Sequence, residues 1–100
     1  MAEYQMIVLT NPHEGQDDEF NDWYTNRHIP DVVAVPGVVS ARRFVGTAPA
    51  VYKYAAIYTL DCDDPQAVMD EILSRWKTDA MPTTPAFNDD GYLMMMAKPL

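Results

Sequence analysis

One hundred residues are enough for one small domain, spanning 1–100, that buries only roughly 60–65% of the surface its unfolded chain exposes. Apolar residues at 48% and charged residues at 22% are the proportions of a globular chain and exclude a disordered one. Seven Lys plus Arg against fifteen Asp plus Glu leave a net charge of −8, which repels phosphate backbones and anionic headgroups and argues against a nucleic-acid or membrane partner.

Cys62 is the one cysteine, so an internal disulfide and a CxxC metal or redox pair are both excluded. No basic segment leads into an apolar one, and no apolar run approaches ~18 residues. The expected location is the cytoplasm.

Tyr4 to Thr10 is short, apolar and β-branched and stops at Asn11-Pro12, which reads as a first strand. Asp17, Asp18 and Glu19 then place three acids where a helix's first turn favours negative charge. Phe20, Trp23, Tyr24 and Arg27 follow at spacings of three and four, the period of one helical face, and His28 falls at the edge of that face. Pro30 is expected to kink or end the helix, and Pro36-Gly37 to stop it.

Residues 38–45 and 51–62 read as two strands joined by a loose hairpin loop containing Gly46 and Pro49. In the second, Tyr52, Tyr54, Ala56, Tyr58 and Leu60 share one face, while Lys53, Ala55, Ile57 and Thr59 share the other. Asp64 before Pro65 is a helix start, and Val68, Ile72 and Trp76 supply a buried stripe ending near Lys77. Residues 78–88, with Pro82 and Pro85, form an irregular loop, and 92–97 a last strand.

The order β-α-β-β-α-β is that of an α+β, ferredoxin-like domain, a four-stranded antiparallel sheet with both helices on one face. The other face is apolar too, and no third helix remains to cover it. A second copy of the chain is the expected cover, giving a homodimer packed sheet against sheet.

The segments Phe20-Asn21-Asp22-Trp23-Tyr24, Arg27-His28-Ile29-Pro30, Pro36-Gly37-Val38 and Arg43-Phe44 resemble the EthD-like branch of the dimeric α/β-barrel superfamily. The likeness is densest over residues 15–46. It implies homodimers whose two sheets close a barrel, with a pocket in each copy between its sheet and its helices. Members include cofactor-independent polyketide cyclases, muconolactone isomerases, quinone-forming monooxygenases, haem-degrading enzymes and proteins without an assigned role.

His28 is the leading candidate for catalysis, because imidazole titrates near neutrality and moves protons without a metal. The competing reading is a structural histidine at the helix edge. Tyr24, one turn earlier, can meet His28 and steady a substrate oxygen. Asp31 is a candidate to set the His28 tautomer or to contact substrate. Arg42 and Arg43 are neighbours on a strand and point to opposite faces, and Arg43 is chosen as the one that looks into the pocket.

Phe20, Trp23 and Tyr58 are candidate substrate contacts, with core packing as the alternative for the first two. Of the tyrosine row, at least one ring is expected at the dimer seam. His13 reads as solvent-exposed, and no His or Cys spacing supports a metal. Cys62, among Asp61 and Asp63, is a poor nucleophile.

The expected activity is cofactor-independent acid/base chemistry, as in an isomerase, cyclase, dehydratase or lyase, on a small aromatic or polyketide-like molecule. The alternatives are a cofactor-free monooxygenase and a non-catalytic small-molecule-binding protein.

Overall fold

The computed structural model describes residues 2–100. Its elements are β1 (Ala2–Thr10), α1 (Asp17–Trp23), a π-helical segment (Tyr24–His28), α2 (Ile29–Val33), β2 (Val38–Val45), β3 (Tyr54–Cys62), α3 (Pro65–Arg75) and β4 (Leu93–Ala97). The four strands form one antiparallel sheet in the order β2-β3-β1-β4, which is the ferredoxin-like arrangement expected from the β-α-β-β-α-β pattern. No helix among the described residues is long and apolar enough to cross a membrane.

Strand alternation sorts the side chains between two faces. Met6 lies opposite Tyr58 and Met96, and Val8 opposite Ala56 and Met94; these side chains turn toward the helices. With Leu60, Phe20, Val32 and Met81 they make the core. The opposite face carries two apolar rows running across the sheet. One is Phe44-Ala55-Leu9-Leu93, and the other Ile57-Ile7-Met95 with Arg42 at its β2 end. The Arg42 guanidinium lies 5.3 Å from the Phe44 ring centroid on this face, while Leu93 and Met95 are 51% and 52% exposed.

Pro30 neither ends nor breaks the first helix. Proline has no N–H for the carbonyl four residues back and its ring crowds that carbonyl. The turn before it widens instead, and the Ile29 N–H donates to the Tyr24 carbonyl, five residues back. The helix then continues through Val33. An extra residue in the turn is worth about 100° of phase. That moves His28 from the edge of the apolar face onto it, and carries Arg27 off it to the surface, where it pairs with Asp31 at 2.7 Å.

α3 begins as its sequence demands. Asp64 caps it, accepting from the Gln66 and Ala67 N–H groups, and Pro65 occupies the first turn. Val68 and Ile72 are buried, and the helix ends at Arg75, two residues earlier than expected. The third strand starts at Tyr54 rather than Val51, since residues 51–53 belong to the connecting loop.

The segment after α3 is irregular, as its prolines require, yet it is packed inside, with Met81 and Ala86 buried. It is tied down by Trp23 Nε1 donating to the Pro82 carbonyl, by backbone hydrogen bonds from His13 N to Ala86 O and from Asn88 N to Asn11 O, and by a bridge between Pro12 and Phe87.

Gly37 makes the turn from the helix into β2 with φ of +97°, and a Cβ there would sit 2.9 Å from Cγ2 of buried Val68. Gly15 also has positive φ, at +79°, but opens onto space. Gly37→Ala should therefore cost about 2–4 kcal/mol, from left-handed strain plus overpacking, and Gly15→Ala only about 1–2 from strain. Urea unfolding of the two variants checks this. Equal losses at both sites would mean that the Val68 contact carries no energy.

Candidate functional site

A cavity of about 70 Å³ lies between the helix-facing side of the sheet and the helices. Its floor is Met6, Val8 and Tyr58, with Met94 alongside. Trp23, Tyr24, His28 and Val32 form the wall given by the first helix. Ile72, Leu73 and Trp76 close the side toward α3, and Phe87 and Tyr92 come from the segment that follows it. Leu73 and Tyr92 are 52% and 44% exposed, whereas Tyr24 and Tyr58 are buried. The mouth is therefore at Leu73 and Tyr92, and the phenols stand at the inner end.

His28 sits in an aromatic box. Its ring stacks on Trp23 with centroids 4.7 Å apart, and meets Tyr24 and Trp76 edge-on at 4.9 and 5.4 Å. Nδ1 is buried with no hydrogen-bond partner. Burial lowers the imidazole pKa to about 4; Asp31 pulls it up weakly and the Arg43 charge pushes it further down. His28 is therefore a neutral imidazole at pH 7, a residue of the chamber wall whose buried Nδ1 has no hydrogen-bond partner.

The second polar feature is a phenol pair. The Tyr24 and Tyr58 hydroxyls are hydrogen-bonded at 3.1 Å, and both are buried. Burial raises both pKa values, that of Tyr58 well above the usual tyrosine value, so each keeps its proton. Behind the pair, the Arg43 guanidinium lies 4.5 Å from the Tyr24 ring centroid. It donates to Asn21 Oδ1 at 2.8 Å and Thr25 Oγ1 at 3.1 Å, while its Nε is buried and unpartnered.

The candidates from sequence thus divide. His28, Tyr24, Trp23 and Tyr58 converge on the cavity. Arg43 does turn to the helix side, as chosen over Arg42, but stands behind Tyr24 rather than in the chamber wall. Phe20 is buried in the core against Tyr24, Tyr54 and Phe87. Asp31 requires a correction: its carboxylate is bonded to Arg27 Nε, so it does not hold the His28 tautomer.

Two rings of the tyrosine row turn to the helix side of the sheet, while Tyr52 lies beside Leu9, Phe44 and Ala55. Tyr58 faces the cavity and Tyr54 bonds Asp17 and Asn21 under α1, so neither ring lies on the open sheet face. Trp76, Phe87 and Tyr92 were not expected in the wall. The apolar residues around the two prolines were the available signal, since a loop rich in buried side chains must be covering something. Cys62 fits its expected inertness, because burial and the neighbouring Asp61, Asp63 and Asp64 raise its pKa. Among the described residues, no three His, Cys, Asp or Glu side chains converge as metal ligands would.

The depressed His28 pKa ties stability to pH. The folded state binds this proton less readily than the unfolded chain does. The His28 contribution is thus intact above about pH 6.5, erodes as pH falls from there, and is lost near the folded value of about 4. The full loss is about 3 kcal/mol. Stability curves for the natural chain and for His28→Phe, measured by urea unfolding from pH 4 to 7, should diverge by that amount at the acid end. Parallel curves would show that the imidazole is not buried as described.

No protein-family profile and no curated sequence matches the chain. Among solved structures, an EthD family protein from Bacillus halodurans C-125 is 14% identical with a TM-score of 0.63, covering all of both chains. A ferredoxin-like DABB family protein from Mesorhizobium loti is 12% identical at 0.65, covering 100% of this chain and 99% of the other. The heme-degrader MhuD from Mycobacterium tuberculosis, which carries two hemes in its active site, is 14% identical at 0.67 over 97% and 95% of the chains. The fold of this chain is the ferredoxin-like fold that EthD and DABB proteins share.

Proposed function

We propose that this chain is an enzyme of proton transfer, acting on a small aromatic or polyketide-like molecule held in the cavity. The observation that carries the reading is His28, a neutral imidazole against an apolar chamber with one buried nitrogen unpartnered. Such a group accepts a proton from a carbon next to a carbonyl, while the C–H electron pair moves onto the oxygen to give an enolate. The imidazolium then returns the proton to a different atom, as isomerisation, cyclisation, dehydration or lyase cleavage requires. Tyr24 steadies the oxygen as charge develops on it, and Arg43 adds positive potential from behind the Tyr24 ring.

A pKa of about 4 makes His28 a weak base. The enolate offsets this, because the imidazolium forms beside a new negative charge in a region of low dielectric, where opposite charges attract more strongly than in water. The low value also sets the pH window. Since kcat/KM follows the free enzyme and needs neutral imidazole, activity should persist through pH 5 and fall only toward pH 4. An acid limb near pH 6.5 would contradict the buried state of His28.

The direct test is hydrogen–deuterium exchange at the carbons next to the carbonyl in a panel of small aryl ketones, followed in D2O by proton NMR. His28→Ala should slow the catalysed exchange by about 10²–10⁴-fold. A loss under about threefold would remove His28 from the reaction.

The same reading includes a homodimer. The two apolar rows on the open sheet face, from Phe44 and Ile57 across to Leu93 and Met95, need a cover, and the described residues form no further helix to provide it. A second copy meets that need with a face of the same shape. Light scattering on micromolar protein should return twice the 11.3 kDa chain mass, and Met95→Glu should shift it toward the monomer. A stable monomer before substitution would end this part of the proposal.

A further inference from the structure

Two phenols joined by one hydrogen bond hold two protons, and the bond uses only one of them. For Tyr24 and Tyr58 the second proton has no acceptor among the described residues, since neither hydroxyl makes another hydrogen bond. Both hydroxyls are buried. A buried donor left unmade is costly and uncommon in native proteins, so its presence at a cavity wall points to a group that arrives from outside. Both tyrosines line the chamber. The hydroxyl that donates outward also accepts from its neighbour, which polarises it and strengthens its own bond.

We infer that the Tyr24–Tyr58 pair is a substrate-oxygen site, and that the substrate is a planar aryl ketone whose carbonyl oxygen accepts the spare phenol proton. The rest of the ligand follows from the walls. From Tyr58 outward the lining is Met6, Val8, Trp76 and Phe87, which offer an aromatic ring dispersion and edge contacts but no charge. At the mouth, half-exposed Leu73 and Tyr92 suit an apolar substituent on the ring. Among the described residues no Lys or Arg lines the chamber, so a carboxylate or phosphate on the ligand would meet no cationic side chain in its wall.

The Arg43 guanidinium, 4.5 Å from the Tyr24 ring centroid and without a carboxylate partner among its hydrogen bonds, adds a positive potential that favours negative charge on the bound oxygen. This inference rests on the proposed reading that the cavity is the substrate site, and it adds the chemical class and the groups that recognise it.

Acetophenone and ethylbenzene share a ring and a two-carbon substituent but differ in the carbonyl, and Trp23 and Trp76 in the wall report binding by fluorescence. The informative quantity is how each affinity responds to Tyr24→Phe/Tyr58→Phe. Removing both hydroxyls together leaves no orphan and keeps the shape, so this variant should fold. It should bind acetophenone about tenfold more weakly and ethylbenzene unchanged. Each single Phe variant keeps one unpolarised donor and should fall between. The infrared carbonyl stretch of bound acetophenone should lie below its value in hexane in the natural protein and return toward it in the double variant.

Parallel changes for the two probes, an unshifted carbonyl stretch, or no binding of either probe at millimolar concentration would each overturn the inference. Failure of the proton-transfer reading looks different. Acetophenone would then bind with the shifted stretch, and His28→Ala would change neither that nor any exchange of its methyl protons.

Discussion

The arrangement of the site depends on a missing hydrogen bond. Pro30 cannot donate to the carbonyl four residues behind it, and a regular α-helix through that point would force ring against carbonyl. Widening one turn relieves both problems, at the expense of the poorer geometry of a π-type bond from Ile29 to Tyr24. The resulting change of phase has a chemical consequence. In an uninterrupted helix Arg27 would stand on the apolar face and His28 at its border. With the extra residue, Arg27 reaches solvent, where it holds Asp31 and the Asp79 carbonyl, and the imidazole takes the inward place. A local backbone constraint thus decides which of two neighbouring basic side chains is buried.

Burial then determines the state of that side chain. Stacking on Trp23 and edge contacts with Trp76 and Tyr24 exclude water from the ring without offering a carboxylate to stabilise its charge. Asp31 sits on the same helix and raises the pKa, but its carboxylate is spent on Arg27, and desolvation wins. The phenol pair obeys the same physics with the opposite sign, since desolvation keeps an acid protonated. One chamber therefore holds an unprotonated base and two protonated acids at neutral pH. Polar groups buried with unused hydrogen-bonding capacity are the places where a sequence departs from internal consistency, and such departures gather at functional sites.

Much of the fold was legible because it rests on short-range rules. The Asp64-Pro65 start of α3, the alternation along β3 and the Pro36-Gly37 turn each act through the residues that carry them, and each reappears in the structure, with β3 starting three residues later than expected. His28, Tyr24, Trp23 and Tyr58 were legible for the same reason, lying at helical or strand spacing on faces that had to be buried. Three features were not. The π turn depends on how the helix resolves a clash, and sequence marks the clash at Pro30 but not its resolution. The partner of Asp31 depended on which way Arg27 turned, itself a result of that turn. The roles of Trp76, Phe87 and Tyr92 depend on a proline-bearing loop folding back over the sheet, a long-range contact with no periodicity to announce it.

The central strand β3 links the two faces of the sheet. Tyr58 enters the cavity wall while Ile57, its neighbour, lies in an apolar row on the opposite side. Any cover on the open face therefore bears on the strand that positions the phenol, and removing it would loosen the chamber from beneath. The helix side offers little compliance, since Phe20, Tyr24 and Val32 are buried against the sheet. A chamber of about 70 Å³ is small beside the ~300–1,000 Å³ of ordinary ligand sites. Room for a ring with a substituent must come from the mouth, where Leu73 and Tyr92 are already half in solvent. The segment behind that mouth is tied by Trp23 to Pro82, by Arg27 to Asp79, and by backbone hydrogen bonds from His13 to Ala86 and from Asn88 to Asn11. Two of these start from the first helix, so the helix that presents His28 also anchors the segment that closes over it.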